Sequence, residues 1–333
     1  MTRLSRRQFA ASGLATLAFA GLARRGLAAP AEDSYRNQVA GYGPLVPDPR
    51  GLFDLPAGFG YRVISAAGEA MDDGFVTPDH FDGMGCFALG GSRVALVRNH
   101  ELQPGHRALG PAGGRAPLEA RLRALGHYGA YHGGGPLPGG TTTLVCDLRS
   151  GRRLAHYLSL AGTAVNCAGG VTPWGSWLTC EETELKPGEG VRRDHGWVFE
   201  VPARRRGLAE PVPIKAMGRF RHEAAAVDPR TGIVYLTEDQ RDSLFYRFLP
   251  DVRTRLAAGG RLQALGLRDA PRGGDTRNWS ARAWRPGDWR EAVWIDLDGV
   301  DSPSGDLRRR GHAAGAALFA RGEGIHHGAG EFY

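Results

Sequence analysis

A cysteine, several carboxylates and an arginine recur in this chain beside small residues, in a pattern suited to metal chemistry. Four segments share one plan: a polar residue next to glycine or alanine, a turn, an apolar strand, and an acidic end. Asp82-Gly-Met-Gly leads to Asn99-His100-Glu101, and Asn166-Cys167-Ala-Gly-Gly leads to Glu181-Glu182. His222-Glu223-Ala leads to Glu238-Asp239, and Arg321-Gly-Glu323-Gly leads through Gly328–Gly330 to Glu331-Phe-Tyr. Cys167 precedes Glu181 by 14 residues and Glu223 precedes Glu238 by 15. If the units converge, Cys167, Glu223, Glu323 and the acidic strand ends meet at one axis. Carboxylates crowded in that way repel one another unless cations neutralise them. A thiolate among carboxylates suits a transition metal such as iron, and oxygen-only groups suit calcium. Arg321 then reads as a fixed cation for an anionic substrate oxygen, because a guanidinium forks onto phosphate. Cys86, Cys146 and Cys180 lie in apolar strand runs and read as buried small hydrophobes. Cys167, between Asn166 and a Gly-Gly turn, reads as lying outside a strand core.

The elements that would position these groups are short strands. Phe87–Leu89 and Val94–Val97 flank Gly90-Gly91, and Thr141–Asp147 and Arg153–Leu160 flank Ser150-Gly151, both hairpin patterns. Segments 177–180, 197–201, 233–237, 244–249 and 293–297 continue the series. Pro117–Leu125 is the one good helix candidate, inside an insertion between Gln103 and Pro138. Residues 251–290 read as a second excursion holding one strand near 262–267. Hairpins with polar ends facing one place are what a β-propeller supplies, since its inner strands converge on a central channel. Irregular spacing excludes a WD40-type array.

Composition agrees with an all-β chain: among 333 residues there are 50 glycines and 21 prolines. Four cysteines without a C-x-x-C exclude a zinc ribbon and a disulfide scaffold. The net charge of +7 points at first to nucleic acid or an anionic membrane, but residues 1–31 hold Arg3, Arg6, Arg7, Arg24 and Arg25 and no acid. The rest of the chain therefore carries about +2, and no nucleic-acid partner is expected. Paired arginines at Arg6-Arg7, the apolar run from Ala10 to Ala23 and small residues at Ala28, Ala29 and Ala31 read as a twin-arginine (Tat) export signal. The run of 14 residues is short against the ~20 that span a bilayer. The expected organisation is a signal over 1–31, an extension over 32–60 and a β domain over 61–333. The expected location is periplasmic or secreted, with the Tat machinery as export partner and no stable membrane anchor.

The stretches LAGTAVNCAGGVTPWGSWLTCEE (160–182), GRFRHEAAAVDPRTGIVYLTED (218–239) and RGEG (321–324) resemble the PhoX-type alkaline phosphatases. The resemblance implies a six-bladed propeller bearing an exported phosphomonoesterase site, with two oxo-bridged iron(III) ions and calcium ions. It implies Cys167 as thiolate ligand to iron, Glu223 and Glu323 as carboxylate ligands, and Arg321 as the catalytic, substrate-binding contact to phosphate. Asn166, Glu181, Glu182, Glu238 and Asp239 are candidate iron or calcium ligands, while Asn99 and Glu101 rest on the repeat. Small phosphate esters are the expected substrates, and the expected state is a monomer. The sequence stops at Tyr333 inside an apparent inner strand, where the family's last blade continues, so that blade is expected to be incomplete here.

Two other functions fit a propeller: a non-catalytic scaffold, and a calcium-dependent hydrolase of lactonase or phosphotriesterase type. A thiolate at Cys167 together with Arg321 favours the phosphatase. Gly133–Gly140 lacks the Lys-Ser/Thr of a phosphate-binding loop, His326-His327 reads as a surface turn, and no Ser/His/Asp constellation is present.

Overall fold

The computed structural model of the chain describes residues 42–279 and 284–333. The export signal read at 1–31, and the extension up to residue 41, lie outside the described residues. The described residues divide into two compact units at the Val63–Ile64 boundary. In the first, strands β1 (Leu45–Val46) and β2 (Leu55–Pro56) pair as a small ribbon. Within its loop the Asp48 carboxylate accepts from the amides of Arg50, Leu52 and Phe53 and from the Tyr61 hydroxyl.

The second unit is all-β, built from antiparallel meanders that follow one another along the chain. The first blade holds β3 (Phe81–Gly90), β4 (Arg93–His100), β5 (Gly139–Asp147) and β6 (Arg152–Thr163) in that order. The second holds β7 (Asn166–Val171), β8 (Ser176–Glu181) and β9 (Val198–Pro202). The third runs β10 (His222–Val227), β11 (Val234–Glu238), β12 (Phe245–Pro250), β13 (Gly260–Leu267) and β14 (Ala292–Asp296). The first strand of each blade is innermost, and β7 packs against both β3 and β10. This is the blade arrangement of a propeller, with three blades among the described residues. A fourth unit begins as the hairpin of β15 (His327–Gly328) and β16 (Glu331–Phe332), turning at Ala329-Gly330, both with positive φ.

Apolar residues fill the spaces between blades. Phe87, Val97, Trp177, Trp197 and Phe199 pack between the first and second. Leu178, Cys180, Val198, Leu236, Tyr246 and Phe248 pack between the second and third. Each large side chain buried in this way contributes about 1.5–3 kcal/mol, so the inter-blade layers hold the inner strands in place. Among the described residues no helix is long and apolar enough to cross a membrane.

Several expectations change. The Gly-Gly segment after Cys167 lies in an innermost strand and is not a turn, and the segments at Asp82 and Glu223 are the innermost strands of their own blades. Glycine serves close approach there: a Cβ on Gly170 would lie 1.7 Å from the Ala225 carbonyl oxygen. A Cβ on Gly83 would lie 2.8 Å from Ala168 Cα. The strand expected near 262–267 is present as β13, the fourth strand of the third blade, which β14 then joins. Besides α1 (Ala116–Leu125), a short α2 (Leu307–Ala313) is present, which hydrophobic periodicity did not signal because Gly311 and three arginines interrupt it. Cys146 and Cys180 are buried as expected, but Cys86 is exposed. Its side of β3 lines a cavity of about 440 Å³ with Met84, Val171 and His326.

Candidate metal centre

The three inner strands carry the same irregularity at the same place. In β3, Phe81 pairs with His100 and Met84 with Arg98, leaving Asp82 and Gly83 opposite Asn99. In β7, Asn166 pairs with Glu181 and Gly169 with Thr179, leaving Cys167 and Ala168 opposite Cys180. In β10, His222 pairs with Glu238 and Ala225 with Leu236, leaving Glu223 and Ala224 opposite Thr237. Each is a β-bulge, which bends its strand and re-aims one side chain. Asp82, Cys167 and Glu223 are therefore equivalent positions in successive blades.

The neighbouring strands repeat as well. His100, Glu181 and Glu238 end β4, β8 and β11, and each is followed by an acid: Glu101, Glu182 and Asp239. Side chains alternate along a strand, so the last paired residue and the next one part ways. The last paired ones are fully buried and bonded inside the protein. Glu181 accepts from the amides of Ala164, Gly196 and Trp197 and pairs with His195 Nδ1 at 2.7 Å. Glu238 accepts from the Leu244 amide and the Tyr246 hydroxyl, and burial pushes its proton affinity up to about 8. The acids that follow face the inner strands.

Cys167 Sγ and the carboxylates of Glu182 and Glu223 each bring one atom within 4.8 Å of the others. Their proton affinities record the crowding. Burial raises Glu182, with Glu223, Asp239 and Glu101 adding repulsion. Glu223 rises to about 7 through burial, then Glu323, Asp82 and Asp239, against an opposing hydrogen bond from Cys167. The Cys167 thiol is pushed well up by burial and by Glu223. Burial also raises Asp82, which is solvent-accessible yet ringed by protein atoms. One sulfur and a ring of carboxylate oxygens, with Cys167, Glu182, Glu223 and Asp82 holding protons too tightly, form a donor set that fits cations.

Glu323 enters beside the third blade: the Thr237 hydroxyl donates to the Glu323 carbonyl at 2.7 Å, and the Gly322 amide to Glu238 O at 3.1 Å. Arg321, with positive φ, sets its Nε 2.7 Å from Asp239 Oδ1 as an ion pair without hydrogen-bond alignment. Its NH2 lies 3.6 Å from Glu323. Its side chain is 58% exposed.

Four sequence-nominated ligands are placed otherwise. Glu181 and Glu238 have been described. Asn166 accepts from Thr163 Oγ1 at 2.6 Å and donates to Thr179 Oγ1 at 2.9 Å, fully buried. Asn99 donates Nδ2 to the carbonyls of Cys167 and Ala168 at 2.9 and 2.7 Å. Its Oδ1 accepts from Trp177 Nε1 and Thr179 Oγ1. Asn99 thus ties the first blade to the bulge that carries Cys167. Asp82 is the reverse case: it heads the first unit of the repeat, and only the shared bulge shows it equivalent to Cys167 and Glu223.

A family model for the alkaline phosphatase PhoX matches residues 40–333. Among solved structures, the chain is similar to Pseudomonas fluorescens PhoX in complex with vanadate, a transition state analogue. Identity is 20% and the TM-score 0.51, over 81% of this chain. The chain spans 63% of that protein, and at this identity the likeness is one of fold. No curated protein matches. With its inner strands, bulges and acidic ring all inside the matched residues, the chain belongs to the PhoX alkaline phosphatase family.

Proposed function

We propose that the chain is a metal-dependent phosphomonoesterase working at the acidic ring of its inner strands. The observation that carries this reading is the convergence of Cys167, Glu182 and Glu223 within 4.8 Å, inside a chain of the PhoX family. Cys167, Glu182 and Glu223 would hold iron, the cation that suits a thiolate. Asp82, Glu101, Asp239 and Glu323 offer oxygen alone and suit calcium. When bound, such ions supply Lewis acidity and offset the charge of a phosphate ester.

The protein's own residues do the rest. Glu182, Glu223 and Cys167 give up protons on loading, since their raised proton affinities belong to the crowded, unneutralised ring. Asn99 and Thr237 hold the backbone at Cys167 and Glu323, so the donors keep their aim. Glu181, Glu238 and Asn166 support the strands behind them. Arg321 hands its fork to the phosphate oxygens of a small monoester, aligning it for in-line displacement. The twin arginines at Arg6-Arg7 and the apolar stretch after them support export through the Tat system to the periplasm, with metals loaded before transit.

Metal analysis paired with a phosphomonoester assay tests the proposal. Purified protein should contain iron and calcium and lose hydrolysis on chelation, with activity returning when both are restored. Undiminished hydrolysis by folded, metal-free protein would overturn it.

A further inference from the structure

Many surface arginines of this chain meet an acid: Arg268 pairs with Glu291, Arg277 with Asp275 and Arg310 with Asp306. Arg123, Arg192 and Arg193 do not. Among the described residues none of the three has a carboxylate within ion-pair distance, yet all line one cavity of about 280 Å³. His127 and Tyr128 complete its polar lining, and no acid takes part.

The cavity is held by fixed backbone. Arg123 occupies the last turn of α1, which Gly126 ends with its amide on the Leu122 carbonyl. Tyr128 and Gly129 then bond to the Ala161 and Gly162 carbonyls at 2.9 and 2.8 Å, alongside β6. The Tyr128 hydroxyl donates to Asp194 O, fixing the floor. The Arg192 amide bonds Ala130 O, and its guanidinium donates to His132 O at 2.7 Å. Arg193 stands 5.7 Å from the Tyr128 ring. Burial holds the proton affinity of His127 below its usual value, and the positive field of Arg193 and Arg123 adds to this, against a hydrogen bond to Gly129 O. The negative end of the α1 dipole is offset by Arg123 itself.

We propose that this cavity is a second anion site, sharing no residue with the acidic ring, that takes a small multivalent oxoanion of the phosphate or diphosphate class. Like charges lining a concavity focus a positive potential, which a bound anion offsets. Guanidinium forks match the paired oxygens of a phosphoryl group. The volume falls just under the ~300–1,000 Å³ of pockets that hold drug-sized ligands, which selects a compact ion. The site does not depend on the hydrolytic reading of the acidic ring.

Equilibrium dialysis of the full chain with labelled inorganic pyrophosphate tests it. The Arg192→Ser/Arg193→Ser double variant should bind one fewer anion per chain than the parent, with kcat and KM for a phosphomonoester unchanged. Arg123→Gln should weaken the same site about tenfold, the scale of losing one charge-assisted contact of ~1.5 kcal/mol. The site should persist in Arg321→Ala protein. An equal number of anions on parent and double variant would overturn the proposal, as would loss of the site in Arg321→Ala. Because binding is counted and not inferred from turnover, an inactive acidic ring would leave this test intact.

Discussion

The inner hairpins of the second and third blades can be laid on one another residue by residue. Cys167 falls on Glu223, Glu182 on Asp239, and Glu181 on Glu238. The backbone solution is common: one extra residue, one bulge, one side chain turned to the axis. The chemistry is not. The second blade offers sulfur and the third oxygen, so the shared bulge decides where a ligand stands while the residue type decides which ion suits it. The positions facing the bulges differ in the same spirit. Cys180 is buried in the apolar layer, whereas Thr237 receives the Ala224 amide and holds the Glu323 carbonyl. In the first blade Asn99 has the matching task, grasping the carbonyls of the next bulge. The first and third blades therefore each steady the donor that follows in the chain, and backbone contacts hold the ring as much as its acids define it.

The largest effect should come from breaking the contact that keeps the two blades aligned. Gly170→Ala places a Cβ against the Ala225 carbonyl, so the blades are forced apart at a cost of about 3 kcal/mol or more. A drop in unfolding temperature of several degrees, or failure to accumulate folded protein, is the expected result; an unchanged transition would refute the packing argument. Next comes a paired comparison of the two cysteines on one hairpin. Cys167→Ser should abolish iron binding and nearly all phosphomonoester hydrolysis while the fold survives. Cys180→Ser should keep its metal and lose about 1–3 kcal/mol of stability, because a hydroxyl there is buried without an acceptor. Equal losses of metal in both would show that the bulge does not separate them.

The smallest effect is a slope. In metal-free protein Glu223 keeps its proton to about 7, against 4.5 when unfolded. The folded state thus binds the extra proton, and this contribution to stability is full below 4.5 and fades as pH rises through about 7. Glu223→Gln should flatten that decline in denaturant midpoint measured across pH. Metal loading should remove it too, since the cation replaces the proton. A decline of equal steepness in the Glu223→Gln protein would place the proton elsewhere.

Much of this was legible in residue order. Alternating apolar runs marked nearly every strand, and the recurrence of polar-small segments marked all four units that supply the ring. The inner strand of the second blade was misread as a turn after Cys167, because Gly169 and Gly170 carry the signature of one. Gly169 is pressed against Leu178 of its own blade and Gly170 against Ala225 of the third, more than 50 residues away, contacts that local pattern does not contain. Asn166, Glu181 and Glu238 were nominated from the family motifs and Asn99 from the repeat, and neither records which way a side chain faces. Only alternation along a paired strand separates Glu181 from Glu182.

By itself, the sequence determined the all-β class, the repeat and the family resemblance, and it nominated Cys167, Glu182 and Glu223 among the donors. Those follow from side-chain chemistry and from periodicities that need no partner strand. Tertiary structure alone decided which donors meet. A bulge exists only between two paired strands, and Asp82, Cys167 and Glu223 become equivalent only when three such pairs pack side by side. The same holds for Arg123 and the adjacent pair Arg192-Arg193: nothing in the sequence joins the first to the second, and the turn after α1, laid along β6, puts them around one cavity.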